Sequence, residues 1–250
     1  MNDVRPIDSR HSFRSFGTRV GVACLIAIAS ATPSLAQSPL QQHLDVTRMR
    51  AAARDSFVVL LRGEARGWQR LTMSRDGDGW QLGDAIEIAP MVTQSSVIRF
   101  DAQLAERSLR QEGKARGTDM RIALDFADGR VKGSSLTPSS GPTGALTVDT
   151  TVTPGIIDDN AVTPLLPAVR WSDGLSITFP VLSSGKGTVA QYTLRTLGSE
   201  TITVPAGTFE TWRVELVAEN AAVTANVTKA APYRVVRMQN GPAFEVQLVK

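Results

Sequence analysis

Cysteine and histidine, the residue types that most often build metal sites and catalytic centres, are nearly missing. The 250 residues include one cysteine, Cys24, and two histidines. We expect Cys24 to leave with an N-terminal segment, after which His43 is the one histidine that remains. Such a chain has no disulfide, thiolate metal site or thiol nucleophile, and it offers neither a Ser-His-Asp triad nor a His-based metal site. We therefore predict a protein that is not an enzyme and that binds no metal or cofactor.

A marked charge excess is also missing. The chain has 27 Lys and Arg against 24 Asp and Glu. Residues 1–36 hold four arginines and two aspartates, so the remainder has 23 basic and 22 acidic residues. Nucleic-acid binding depends on a basic surface that neutralises many phosphates. A nearly neutral chain excludes nucleic acid as a partner.

Long hydrophobic runs are limited to residues 20–31, which follow a polar segment that contains arginines. Residues 32–36 end in the small residues that a signal peptidase recognises. This pattern predicts a secretory signal peptide over residues 1–36, with cleavage after Ala36. The apolar run is shorter than the roughly 20 residues that span a bilayer. We expect a periplasmic or secreted protein without a transmembrane segment in the mature chain.

The mature sequence alternates apolar and polar residues with period two, which is typical of half-buried strands. Closely spaced strands with tight turns favour an antiparallel meander, because parallel strands need longer crossovers. One such turn is predicted at residues 75–79. The predicted strands cover residues 56–61, 68–74, 80–88, 94–102, 120–126, 130–132, 188–197, 200–204, 208–218, 221–228, 233–238 and 243–249.

The mature chain divides into a short N-terminal segment and one β domain. Residues 37–55 are predicted to be a linker or a short helix, centred on residues 41–53. The domain, residues 56–250, consists of halves 56–135 and 143–250, separated by a loop rich in Ser, Pro and Gly. Residues 154–169 predict a second short helix, limited to about two turns by internal prolines.

Three motifs that could carry chemistry are better explained structurally. Residues 76–87 have part of a calcium-loop pattern but lack its required carboxylate and glycine, so we expect a hairpin turn. Residues 183–188 have part of a phosphate-loop pattern without its first glycine or a following helix. Two carboxylate pairs could do acid-base work but fit turns and helix caps better: Asp125 with Asp128, and Asp158 with Asp159.

One motif supports a resemblance to a known family. Residues 204–209 read VPAGTF between two predicted strands, and APYRVVR follows at residues 231–237. This half of the chain resembles exported bacterial domains of unknown function that are likened to the periplasmic lipoprotein carriers LolA and LolB. Gly207 is expected to adopt backbone angles that a side chain would forbid, while Phe209 returns the chain to the core. The structural motif comprises Val204, Pro205, Gly207 and Phe209.

The resemblance implies one curved antiparallel sheet, an open or half barrel, whose concave apolar side is covered by short helices. A lipid or acyl chain is then the expected ligand, held by burial of apolar area. The alternative is a structural or interaction domain of the cell envelope, with a filled core and an envelope protein as partner. A carboxylate-based hydrolase is a third, weaker hypothesis. Each of the four tryptophans fits a core position better than a ligand surface. If a cavity is present, the aromatic residues proposed to line it are Trp68, Trp80, Trp171, Trp212 and Phe209.

Overall fold

The computed structural model describes residues 37–138, 144–219 and 221–250. The predicted signal peptide, its cleavage site after Ala36 and Cys24 lie outside the described residues, as does part of the predicted loop between the halves. The described residues form fifteen strands: β1 (Ala52–Leu61), β2 (Glu64–Asp76), β3 (Gly79–Ile88), β4 (Val92–Phe100), β5 (Glu106–Ala115), β6 (Thr118–Ala127), β7 (Arg130–Leu136), β8 (Leu146–Thr151), β9 (Ile157–Asp158), β10 (Ser176–Ser183), β11 (Thr188–Val204), β12 (Gly207–Ala218), β13 (Ala221–Thr228), β14 (Val235–Asn240) and β15 (Phe244–Leu248).

All fifteen strands belong to one curved sheet that is not closed by hydrogen bonds. Its order is β8-β7-β6-β5-β4-β3-β2-β1-β15-β14-β13-β12-β11-β10-β9. Neighbouring strands are antiparallel except for the short β9, which is parallel to β10. Two meanders are therefore joined where β1 pairs with β15, and the edges are β8 and β9. This arrangement confirms the predicted curved antiparallel sheet.

One face of the N-terminal meander is built from residues in cross-strand register. A single row crosses eight strands, and each member pairs with the next. Alternation with period two directs these residues to the same side of the sheet, where apolar side chains leave water. This inner row is buried except for its glycine, which is partly exposed: Ala53, Met73, Leu82, Ile98, Leu109, Leu124, Gly133 and Val148.

Two chain segments pack against the inner face, and we call them together the strap (residues 37–50 and 152–171). They hydrogen bond to each other, since the Asp45 amide donates to the Ala168 carbonyl at 2.8 Å and the Arg170 amide donates to the His43 carbonyl at 2.9 Å. The strap contains the helix α1 (Asp159–Leu165) and three 3₁₀ helices, Pro39–His43, Val46–Arg48 and Leu166–Ala168. Its apolar side chains join the main core cluster: Leu40, Ile156, Ile157, Ala161, Val162, Leu165, Leu166, Ala168, Val169 and Trp171.

Several local predictions differ from the structure. Residues 41–53, predicted as a helix, contain two 3₁₀ turns and the start of β1. Residues 188–197 and 200–204 are a single strand, because a register shift between Thr196 and Gly198 accommodates Leu197 as a bulge. Strands β5, β8, β9 and β10 were not predicted. The second predicted helix is present as α1, one residue after the short β9.

The VPAGTF segment is the tight turn between β11 and β12. Val204 pairs with Gly207 across a two-residue turn formed by Pro205 and Ala206. Gly207 has φ +133°, a region that L side chains rarely adopt. Pro205 lies outside the strand ladder, whereas Gly207 is the first paired residue of β12. The hairpin packs through Ile202, Val204 and Phe209 on a second apolar cluster from β1, β14 and β15.

Candidate ligand site between the strap and the sheet

The five aromatic residues predicted to line a cavity are distributed over the molecule. Trp80 and Trp171 are buried in the main core, and the Trp171 indole N–H donates to the Leu166 carbonyl at 3.0 Å. Trp212 packs beside that core, with Lys229 Nζ 4.1 Å from its ring centroid. Phe209 contacts the second cluster, while Trp68 is 39% exposed. None of the five lines either of the two cavities described below.

A small, mainly apolar cavity of about 40 Å³ lies between the strap and the inner face of β1, β2, β3 and β14. Met49, Pro164 and Pro167 approach it from the strap. The side chains that form its apolar wall on the sheet are Ala53, Phe57, Leu71, Met73, Leu82 and Val235. The same cavity is lined by a charged group of residues, and this combination makes it the candidate ligand site.

The charged group contains three arginines and one carboxylate. Arg50 and Arg234 both form ion pairs with Asp55, whose side chain is 12% exposed. The Arg48 guanidinium lies over the Tyr233 ring, 3.7 Å from its centroid, and its Nε donates to the Pro167 carbonyl at 3.1 Å. Arg48, Arg50 and Asp55 line the cavity itself. The four ionisable groups carry a net charge of +2.

The arginines are not fully satisfied by these contacts. Arg48 Nη2 and Arg234 Nε are buried without a hydrogen-bond partner in the described part of the chain. Burial lowers the pKa of Arg48, because the cation loses hydration, although Tyr233 and Asp45 oppose this effect. A buried donor without a partner costs roughly 1–3 kcal/mol and more when it is charged. The site is therefore chemically suited to an incoming acceptor.

Asp55 begins a second, partly polar row on the inner face, two residues from the apolar row. Successive pairs lead from Asp55 through Leu71, Asp84 and Ser96 to Gln111. Burial raises the pKa of Asp84 to about 6, although Gln69 Nε2 donates to both carboxylate oxygens at 3.0 and 3.1 Å. This polar row separates part of the main core from the second cluster.

A second cavity of about 560 Å³ is open and has a lining of both polar and apolar residues. Its lining includes Asp101 and Arg107, which pair with each other at 2.7 Å, and Arg130, which pairs with Asp149 at 2.6 Å. Since these charges already satisfy one another, the second cavity is less suited than the first to bind a charged ligand. Glu106 also lines it and leads to a buried carboxyl pair.

Glu106 on β5 and Asp158 at the start of α1 form this carboxyl pair. The Asp158 amide donates to Glu106 Oε2 at 2.8 Å, while Asp158 Oδ1 caps α1 by accepting from the Asn160 and Ala161 amides. Burial and the charge of Asp159 raise the pKa of Asp158 to about 7. Burial, with the nearby carboxylate, raises the pKa of Glu106 well above its ordinary value. The raised pKa values favour retention of a proton by the pair, while the hydrogen bond from the Asp158 amide joins the strap to β5.

The carboxylates considered in the sequence have other contacts. Asp125 forms an exposed ion pair with Arg110 at 2.5 Å. Asp158 pairs with Glu106 across 52 residues, and sequence reasoning missed that partner. Asp159 accepts from the hydroxyls of Ser183 and Ser184 at 3.2 and 2.8 Å. The predicted hairpin turn is confirmed between β2 and β3, which pair up to Asp76 and Gly79.

Within residues 37–138, 144–219 and 221–250, no three or more His, Asp or Glu side chains are placed to hold a metal ion. The helices in these same ranges are all too short or too polar to cross a membrane. The candidate site therefore consists of an apolar cavity and an arginine-rich rim.

These features define an all-β protein in which a single curved antiparallel sheet is lined by an internal strap. Residues 54–248 match the family model described as "Protein of unknown function (DUF3108)", and the chain belongs to this family. It is similar to a solved β-barrel-like protein of the domain of unknown function DUF1849 from Brucella abortus. That likeness has a TM-score of 0.50 and 12% identity, and it covers 79% of this chain and 95% of that chain, so it shows a shared fold. A comparison with curated proteins found no match.

Proposed function

We propose that the protein is an exported, non-enzymatic binding or carrier protein for an amphiphile whose acyl chain lies between the strap and the sheet. The observation that supports this function is the apolar cavity at the boundary between the strap and β1–β3. The strap is joined to itself by backbone hydrogen bonds but covers the inner sheet face mainly through side chains. Apart from β9, which pairs with β10, such a cover can separate from the sheet without disrupting the strand ladder. The likeness to LolA and LolB stays a prediction that agrees with this proposal.

An acyl chain needs more room than the cavity offers. Its volume of about 40 Å³ is close to that of one water molecule, about 30 Å³. Binding therefore requires part of the strap to move, beginning at Met49, Pro164 and Pro167. Each buried CH₂ group contributes about 0.8 kcal/mol, so a ten-carbon chain gains roughly 8 kcal/mol of burial. This free energy compensates for the apolar contacts that the strap residues lose when they are displaced.

Trp171 supplies a direct assay, because it is a buried indole on the strap itself. The full chain is expressed in a bacterial host that can process residues 1–36, purified and titrated with decanol. We expect Trp emission to change and amide exchange to increase over residues 37–50 and 152–171, while β1–β8 remain protected. Trp171→Phe is expected to lose most of the emission change. Saturable decanol binding with unchanged exchange in the strap would contradict the proposed mode.

A second candidate, an envelope interaction domain, is favoured by the filled interior. Ten apolar strap residues join the core, so the fold is complete without a ligand. The two functions differ in what accompanies the purified protein. Lipid that copurifies and is identified by mass spectrometry, together with decanol binding, supports the carrier. Absence of both signals supports the interaction domain.

Export is a separate part of the proposal. Expression of all 250 residues in a Gram-negative host should give a periplasmic protein whose N-terminal sequence begins at Gln37. A cytoplasmic product that retains residues 1–36 would contradict this part alone.

A further inference from the structure

The residues around the apolar cavity contain more positive charge than the fold itself uses. Asp55 is the one carboxylate in direct contact with Arg50 and Arg234 within the described residues. Asp45 is the carboxylate whose charge acts on Arg48, and the charge of Arg170 acts in turn on Asp45. Including Asp45 and Arg170 leaves the net charge at +2. The excess is therefore local to the cavity.

Two nitrogen atoms in this group have unused donor capacity. Arg48 Nη2 and Arg234 Nε are buried and lack an acceptor in the part of the chain that the structure describes. The Arg48 guanidinium is also oriented by Tyr233, which lies outside the strap and stacks against it, so this contact does not depend on the position of Pro167. A fixed guanidinium loses little freedom when it binds an oxyanion, and it can do so through two N–H groups.

We propose that Arg48, with Arg50 and Arg234, forms a head-group site for a phosphate or carboxylate of the amphiphile bound in the cavity. This inference rests on the proposed function and adds the chemical class of the ligand. The acyl chain contacts Leu71, Met73 and Leu82, while the anionic oxygens accept hydrogen bonds at the rim. An anion reduces the +2 excess and supplies the acceptor that Arg48 Nη2 lacks.

The test compares three probes by calorimetry: decyl phosphate, decanol and inorganic phosphate. We expect decyl phosphate to bind the full chain at least tenfold more tightly than decanol, and inorganic phosphate to bind much more weakly than either. The advantage of decyl phosphate should shrink between 20 and 500 mM salt, whereas decanol binding should not weaken. This salt comparison requires no variant and therefore does not depend on a variant's folding.

Arg48→Gln should weaken decyl phosphate binding at least tenfold more than it weakens decanol binding, while Arg48→Lys should restore part of this difference. Arg54→Gln is the matched control, since Arg54 is exposed on the opposite face of β1, next to Asp55. Equal affinity for decyl phosphate and decanol would overturn the head-group site and leave the carrier intact. Binding of neither amphiphile would overturn the proposed function. Inorganic phosphate that binds as tightly as decyl phosphate would show a free-anion site and overturn the present inference.

Discussion

Replacement of Asp84 by Asn should make the protein more stable at neutral and alkaline pH. Asp84 lies on the inner face of β3 between Leu82 and Ile86, and burial raises its pKa from 3.8 to about 6. A raised carboxyl pKa means that the folded state holds its proton more tightly than the unfolded state. Asp84 therefore destabilises the fold progressively as the pH rises from about 4 to about 6, and the full penalty persists above that range.

The size of this effect follows from the shift. A difference of about 2.2 pKa units at 1.36 kcal/mol per unit gives a penalty of about 3 kcal/mol at pH 8. Asn has nearly the same shape, and its carbonyl oxygen can still accept from Gln69 Nε2. The stability gain of Asp84→Asn should consequently be about 2 to 3 kcal/mol larger at pH 8 than at pH 4. Wild type and Asp84→Asn share all other ionisable groups, so the effects of those groups cancel when the two free energies of unfolding are subtracted at each pH.

Urea unfolding followed by circular dichroism at pH 4, 5, 6, 7 and 8 measures this difference. Asp78→Asn is the matched control, because Asp78 is an exposed residue in the turn of the same β2–β3 hairpin, and it should show no comparable trend. A pH-independent difference between wild type and Asp84→Asn would refute the assignment of the penalty to a buried carboxylate. A larger advantage at pH 4 would show that the sign is wrong.

The other predictions concern the turn after β11 and the carboxyl pair. Gly207→Val should lower the free energy of unfolding by more than about 1 kcal/mol, because a φ of +133° suits glycine and strains valine. Thr208→Val, at the neighbouring exposed position, is the control and should not have this effect. An unchanged melting temperature for Gly207→Val would contradict the prediction. Glu106→Gln keeps an acceptor for the Asp158 amide and a donor for its carboxylate, so it should fold. Because the folded-state pKa values lie above the unfolded ones, wild-type stability should fall as the pH rises from about 4 to about 7. Glu106→Gln should flatten this fall in thermal melts from about pH 4 to about pH 8, and parallel curves would refute the retention of a proton by the pair.

Much of the fold was readable from local patterns, and the reason is the period of two. Residues 120–126 alternate cleanly, and β6 is where they predict it. Strand β5 was missed because its inner positions are Leu109, Gln111 and Gly113, so a hydrophobic alternation is absent. Its partners β4 and β6 supply the hydrogen bonds that define it. Tertiary pairing thus decided the strand where side-chain chemistry did not.

The candidate site was less accessible to sequence reasoning. Arg234 and Asp55 are 179 residues apart, and they meet because β15 brings β14 close to β1. The aromatic residues were selected for their apolar area, but Trp80 and Trp171 serve the core and Trp68 is exposed. The alternation of inward and outward positions along the strands nevertheless contained a usable signal. Asp55 and Asp84 occupy inward positions of apolar strands, where a carboxylate needs a buried partner or a functional reason.

The carboxyl pair and the apolar cavity lie at opposite ends of α1, so a movement of the helix at the cavity also acts on the carboxyl pair. The Asp158 amide at its N-terminus donates to Glu106, burial of the two carboxyls favours a proton shared by the pair, and Asp159 accepts from Ser183 and Ser184. Pro164 in its last turn reaches the apolar cavity, where the contacts are mainly apolar and leave an unfilled space. Displacement by a ligand should therefore begin at the proline end and swing about the carboxyl end. Loss of the shared proton would weaken that pivot, because two ionised carboxylates repel each other in a site with little water.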